Sequence, residues 1–340
     1  MARAAAKPAA AAKPRVFTEL EVQELVSQGR HVYICNGRVY DVRVEEIMHP
    51  GGRDVLEAYK GRDISAAFRG EGTVAHLHSK GARALLERYY AGVMEGAGAA
   101  AALGGGVPGA DLVDESKPLL PQVVNLDPET YLAWVDAPST GHPVMFDNAI
   151  IERMTCTQWY VVPLLWIPFA TALLWRGVAH GGVPLLQLPA LVAVGVLVWQ
   201  LIEYSLHRWV FHLKPTGPKS IKWHFMLHGH HHKYPMDFDR LVFPPLPAGL
   251  VMAIFYALLH ALAPMGYASC LLGGGVIGYV AYDTTHWALH SNARDPFVTA
   301  RLRTSHMDHH YVNDRVGYGI SSTLYDVLFG TLSDHAKKVV

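Results

Sequence analysis

The sequence predicts a small soluble α+β domain followed by an all-α, four-span membrane domain. A cytosolic helical cap on the second domain is expected to hold a histidine-rich dimetal site. Three observations predict this. Hydrophobic residues are 51% of the 340, yet the long apolar runs all lie in the second half. The N-terminal region instead alternates short β-prone and helical pieces. Finally, 13 of the 20 histidines fall between His207 and His310, a clustering that implies a shared need for imidazole. The 29 basic residues are balanced by 29 acidic ones, which argues against a nucleic-acid binder driven by bulk positive charge.

Residues 1–15 are basic, alanine-rich and interrupted by proline. They lack an apolar h-region, so a flexible N-terminal arm is expected rather than a signal peptide, with a cleaved organelle-targeting segment as the alternative. Residues 16–92 read as the small domain. Val32, Ile34 and Val39 lie in β-prone pieces around an Asn36-Gly37 hairpin turn. Ala82, Leu85, Leu86 and Tyr89 share one face of a helix expected over Ala82 to Tyr90. Residues 93–120, rich in glycine and alanine, read as a linker. Residues 121–340 form the membrane domain. Its opening segment, to residue 157, carries Tyr131, Trp134 and Phe146 and is expected to lie over the spans or on the membrane surface. Cys35, Cys156 and Cys270 are far apart and odd in number, so no disulfide framework follows.

Four apolar stretches come next, at about 159–175, 183–206, 246–264 and 267–287. Each is long enough for a hydrocarbon core of roughly 30 Å. The link between the first two carries Arg176 as its only charge. The segment from His207 to Arg240 holds Arg208, Lys214, Lys219, Lys222, Lys233 and Arg240, and the tail adds Arg294, Arg301, Arg303 and Arg315. The basic side is expected to be cytosolic, which puts both termini there.

His49-Pro50-Gly51-Gly52 follows the strand piece Val39 to Val42. With His78-Ser79 downstream and Gly92 beyond, residues 16–92 resemble cytochrome b5 domains. The resemblance implies a b-type haem held by His49 and His78, with His76 as the alternative second ligand. Two imidazoles saturate the iron, so such a domain carries electrons rather than activating oxygen.

Twelve of the 13 histidines between His207 and His310 fall in five pieces: His207/His212, His224/His228, His230-His231-His232, His286/His290, and His306/His309/His310. Spacings of three and four put imidazoles on one helix face. His224, His228, His231 and His232 are expected along one side of a helix. The set is too large for one metal ion, and two fit. His224 and His230 are expected to orient ligands rather than bind metal. Imidazole suits iron and zinc alike. The electron-carrying domain favours iron, because a zinc hydrolase has no use for electrons.

This half resembles the integral-membrane fatty acid hydroxylase superfamily, and most of all its sphingolipid fatty acid 2-hydroxylases, in which a cytochrome b5 domain precedes four spans. The likeness rests on Leu112 to Asp114, Lys117 to Leu119, Gln122-Val123, Trp134-Val135, Trp159-Tyr160, Tyr234 to Asp237, Arg240 to Val242, Pro244-Pro245 and Tyr311 to Gly319. Ser116 and Pro121 depart from it. The resemblance implies ten metal ligands: His207, His212, His228, His231, His232, His286, His290, His306, His309 and His310. It implies O2-dependent 2-hydroxylation of long or very long acyl chains, free or in ceramide, in the endoplasmic reticulum membrane. Electrons are expected from an NAD(P)H-dependent cytochrome b5 reductase. Two metal ions are implied, iron for activity and zinc where the isolated protein holds it. No nucleic-acid partner is expected.

Other readings stay open. A cytochrome b5-fused acyl desaturase typically has Gln at the place of His306 and lacks the His207-x4-His212 piece. A sterol oxidase of the same class typically lacks the fused haem domain. A membrane-anchored electron carrier would need one span rather than four.

Overall fold

The computed structural model describes residues 14–47, 49, 52–71, 78, 80–97, 112–291 and 298–339. The chain divides into two compact units, the first drawn from residues before 107 and the second mainly from 107–340. The N-terminal arm up to residue 13, the glycine-rich part of the linker (98–111) and His76 lie outside the described residues.

The first unit is built on a four-stranded sheet: β1 (Val16–Phe17), β2 (His31–Cys35), β3 (Arg38–Val42) and β4 (Tyr90–Met94), in the order β1-β4-β3-β2. β2 and β3 form the expected hairpin, with Ile34 opposite Val39 and Cys35 opposite Arg38. Asn36 and Gly37 turn it with φ of 51° and 75°, the left-handed pair such a tight turn requires. The helix Glu19–Ser27 opens on a reciprocal cap: the Glu21 backbone N–H donates to the Thr18 hydroxyl, and the Thr18 N–H donates to the Glu21 carboxylate. It packs Val22 onto Phe17, Val32 and Val39. The helix expected over Ala82 to Tyr90 spans Lys80–Glu87, because Tyr90 is already in β4. β4 in turn runs two residues into the segment read as linker, since Val93 pairs with both Val16 and Arg38.

The second unit is helical. Four helices are long and apolar enough to cross a membrane: Val161–Ala179, Leu185–Phe211, Phe238–Leu262 and Met265–His290. We call them the first to fourth spans; this is a multi-pass membrane protein. The fourth is largely enclosed by the others, whereas the second is mostly exposed to lipid. Close approach of the second and fourth rests on small residues. A Cβ on Gly274 would stand 2.5 Å from the Val192 carbonyl oxygen. Arg176 is not in a connecting turn. It lies within the first helix, and its guanidinium bonds the Tyr256 hydroxyl of the third span.

The segment 112–157 does not simply lie on the membrane. Leu119, Val123, Tyr131, Trp134 and Val135 are buried in one core with Ile221, Phe225 and Tyr234 of the histidine-rich segment. Lys233 is fully buried there. Its ammonium donates to the carbonyls of Trp134 (2.8 Å) and Ala137 (2.6 Å) and lies 4.4 Å from the Trp134 ring centroid. This core clamps the cap onto the helices that carry the histidines. All three cysteines are free thiols.

Candidate metal centre

Nine of the ten expected ligands are buried, and His212 is partly so. They separate into two groups of Nε2 atoms. In the first, His207, His212, His228 and His309 come together. His232 joins them, with its Nε2 3.0 Å from that of His228 and 3.2 Å from that of His309. The second group is His231, His286, His290, His306 and His310. The Nε2 of His231 is 2.9 Å from that of His310 and 3.0 Å from that of His286, and His290 meets His306 at 2.7 Å.

Local backbone geometry makes this convergence possible. The second span ends in a π turn, His207–Phe211, closed by the His212 N–H donating to the His207 carbonyl (3.2 Å). The wider turn brings residues five apart toward the same side, so the Nε2 atoms of His207 and His212 approach to 3.3 Å. A second π turn, Phe225–Gly229, separates His224 from the histidines after it. This is why His224 does not run down the same side as His228, His231 and His232. Its Nδ1 meets the Tyr131 hydroxyl at 2.7 Å instead. His230 likewise sits outside both groups, with its Nε2 3.6 Å from the Asp237 carboxylate.

The rings are prepared as ligands. A carbonyl oxygen only accepts, so a ring nitrogen beside one carries the proton. His207 Nδ1 donates to the Tyr318 carbonyl (2.7 Å), His309 Nδ1 to Val316 (2.7 Å) and His286 Nδ1 to Leu241 (2.8 Å). In each the Nε2 is left with its lone pair aimed into the group. Val316 and Tyr318 flank Gly317, whose φ is +70°. A Cβ there would stand 2.5 Å from the Ser305 carbonyl oxygen, so only glycine lets this loop present both carbonyls.

Burial and repulsion among the rings hold His228, His231, His232, His306 and His310 well below the ordinary imidazole range. Burial takes His309 down to about 4. These rings are neutral at physiological pH, the form that binds metal.

The fit to metal can be tested on spacing. Two nitrogens about 2.1 Å from one ion and at right angles stand about 3.0 Å apart. The observed 2.7–3.3 Å separations match that edge. His207, His286 and His309, whose Nε2 lone pairs are fixed by their Nδ1 bonds, are set to bind a cation there. The arrangement is a buried histidine cluster consistent with a metal site.

In the first unit, His78 stacks on Phe68 with ring centroids 4.1 Å apart, and its Nδ1 donates to the Ala67 carbonyl (3.2 Å). With Nδ1 carrying the proton, the lone pair is on Nε2, the tautomer a haem ligand requires. His49 is half-buried.

Comparison with known proteins adds two family models. The model described as "Cytochrome b5-like Heme/Steroid binding domain" matches residues 18–95, and the "Fatty acid hydroxylase" model matches residues 192–331. The fatty acid 2-hydroxylase of Homo sapiens is 36% identical over 358 residues, covering 93% of this chain and 95% of that one. The chain belongs to the fatty acid 2-hydroxylase family. The dihydroceramide fatty acyl 2-hydroxylase FAH1 of Arabidopsis thaliana, 39% identical over 222 residues, covers 65% of this chain and 93% of its own. The solved structure of full-length scs7p, with only its hydroxylase domain visible, is 36% identical. It superimposes with a TM-score of 0.61 over 66% of this chain and 86% of that one. Membership in this fatty acid 2-hydroxylase family supports hydroxylase-type oxidoreductase chemistry.

Sequence reasoning did not find the carbonyls of Leu241, Val316 and Tyr318, because backbone acceptors have no residue signature. It also missed Asp326, which accepts from the backbone N–H of Tyr318 (2.9 Å) and Gly319 (2.8 Å) and so braces the carbonyl-bearing loop. A buried lysine beside three histidines, Lys233, was legible as an anomaly only once its burial was known.

Proposed function

We propose that this protein 2-hydroxylates long or very long fatty acyl chains that are destined for, or already within, ceramide. The observation that carries the reading is the pair of five-imidazole groups in a chain that also has a cytochrome b5-like domain. His207, His212, His228, His232 and His309 would hold one metal ion, and His231, His286, His290, His306 and His310 the other. His49 and His78 would hold haem b. When bound, the metal ions, iron in the active protein, supply oxygen activation and the haem supplies electron relay. The overall balance is one acyl C–H bond, O2, two electrons and two protons giving one C–OH bond and one water. The electrons are drawn from NAD(P)H through a cytochrome b5 reductase.

The protein's own groups bind and orient. Lipid-facing spans lie directly below the histidine groups, so an acyl tail would be buried among them at about 0.8 kcal/mol per methylene. The polar head would stay at the cap, which holds the carbon next to the carbonyl nearest the metals. Depth then selects the position attacked. The basic residues of the cap and tail support cytosolic termini, and the endoplasmic reticulum membrane is what the family resemblance implies.

The test is mass spectrometry of hydrolysed lipids from cells lacking their own hydroxylase. Wild type is compared with His286→Ala and His49→Ala. We expect 2-hydroxy acyl chains from the wild type alone. A new double bond would identify a desaturase. An unchanged acyl profile with a normal haem spectrum would point to a sterol substrate or a bare electron carrier.

A further inference from the structure

Two buried carboxylates lie inside the spans, among the described residues, and belong to neither histidine group. Glu203 is 4% exposed and Asp283 is 1% exposed. Acids at such depth are rare and mark function more often than chance. Each sits one helical turn before a candidate ligand on the same face: Glu203 four residues before His207, Asp283 three before His286. Neither is hydrogen-bonded to a histidine among the described residues. Each instead holds the backbone of the segment that orients that histidine.

Glu203 Oε1 accepts from the Ser321 backbone N–H (2.9 Å) and from the Ser321 hydroxyl (2.6 Å). Three residues earlier, the Tyr318 carbonyl accepts from His207 Nδ1. Asp283 accepts the Phe243 N–H (3.2 Å to Oδ2), while the Tyr279 hydroxyl donates to the Phe243 carbonyl (3.4 Å). Two residues earlier, the Leu241 carbonyl accepts from His286 Nδ1. The same construction therefore occurs once for each group: acid, backbone segment, carbonyl, imidazole.

We propose that Glu203 and Asp283 are positioning residues, one per metal site, which fix the tautomer and tilt of His207 and His286 through the backbone they grip. This rests on the reading that the two groups hold metal ions. What the construction needs is an acceptor oxygen rather than a charge, so an amide in the same place preserves it. Asp326 braces the Tyr318 loop from its other side, whereas the Leu241–Phe243 segment has no second carboxylate among the described bonds. Asp283 accordingly matters more than Glu203.

The experiment uses the full chain purified in detergent and counts metal per chain during titration with a chelator, independently of turnover. Glu203→Leu and Asp283→Leu keep a branched side chain and remove the acceptor. Glu203→Gln and Asp283→Asn keep the acceptor. We expect each Leu variant to hold one of its two metal equivalents about 10–100-fold more weakly, with Asp283→Leu the worse. The amide variants should stay close to wild type. Leu variants that retain both equivalents as wild type does would overturn the proposal. So would amide variants that lose metal as readily as the Leu variants, which would move the role to charge or proton transfer. Should a Leu variant fail to accumulate, Glu203→Ala and Asp283→Ala, which also lack the acceptor, take its place, and retention of both equivalents as in wild type would overturn the proposal. A wild type that binds no metal would sink the metal reading and the proposal with it.

Discussion

The two histidine groups have the same composition and are held in different ways. In the group containing His207, two Nδ1 atoms donate to the carbonyls of Val316 and Tyr318, both on one glycine-dependent loop. In the group containing His286, only that ring has such a bond among the described residues. The Nδ1 atoms of His231, His306 and His310 are buried with no hydrogen-bond partner among the described residues. A buried unmet donor costs about 1–3 kcal/mol. One group is therefore oriented before any metal arrives. The other relies on packing, and a metal ion must do more of the aligning. Equal ligand counts do not mean equal preorganisation.

Several substitutions can break or sharpen this contrast. The largest effect is expected from removing a ring. His306→Ala and His309→Ala should each reduce hydroxylation by about 100-fold or more, and metal analysis should find each chain depleted at a different group. Equal loss of both metals in both variants would contradict separate groups. Next is Gly317→Ala, which places a side chain at φ +70° against the Ser305 carbonyl. Metal at the His207 group should weaken about 10-fold or more while the His286 group is spared. Chelation of the wild type comes third. Release should be biphasic, with the fast phase absent from a His306→Ala chain that lacks the less anchored metal. A single phase would mean that the carbonyl anchors are immaterial.

Smaller effects serve as controls. Lys233→Met leaves two carbonyls unmet and should lower stability by about 1–3 kcal/mol in thermal melts. His231 and His232 precede it and serve different groups, so both metals should loosen alike; a one-sided effect would argue against a common support. Tyr131→Phe removes the hydroxyl beside His224 and should cost about 0.5–1.5 kcal/mol with metal content unchanged. Metal loss in that variant would bring His224 into the machinery.

What the sequence made legible followed from side-chain type and period. The four apolar runs became four long helices because twenty-odd apolar residues have few other solutions. The hairpin at Asn36-Gly37 was readable because that dipeptide accepts positive φ. The ten histidines come together as a set, although their spacing alone could not divide them into two fives. That division depends on two π turns, which have no reliable sequence mark, and it explains why His224 left the face on which its spacing put it. Tyr131 and Trp134 read as anchors over the spans or on the membrane surface, because aromatic residues serve in both places. Only the partner surface offered by Ile221, Phe225 and Tyr234 decides between the two roles. Glu203 and Asp283 went unremarked, because their bonds run to backbone atoms that no pattern announces.

The fourth span is seven residues longer than the first helix, 26 against 19. The two are level at the end away from the histidines, where a Cβ on Gly181 would collide with Gly266. The excess, about 10 Å at 1.5 Å per residue, therefore emerges at the histidine end. His286 and His290 stand on that overhang, beyond the level at which the first helix begins. Their height is set by the protein, while the depth of an acyl carbon is set by the bilayer. On the proposed function, a thicker or thinner bilayer would slide one ruler past the other, so membrane thickness itself would tune which carbon comes nearest the histidine groups.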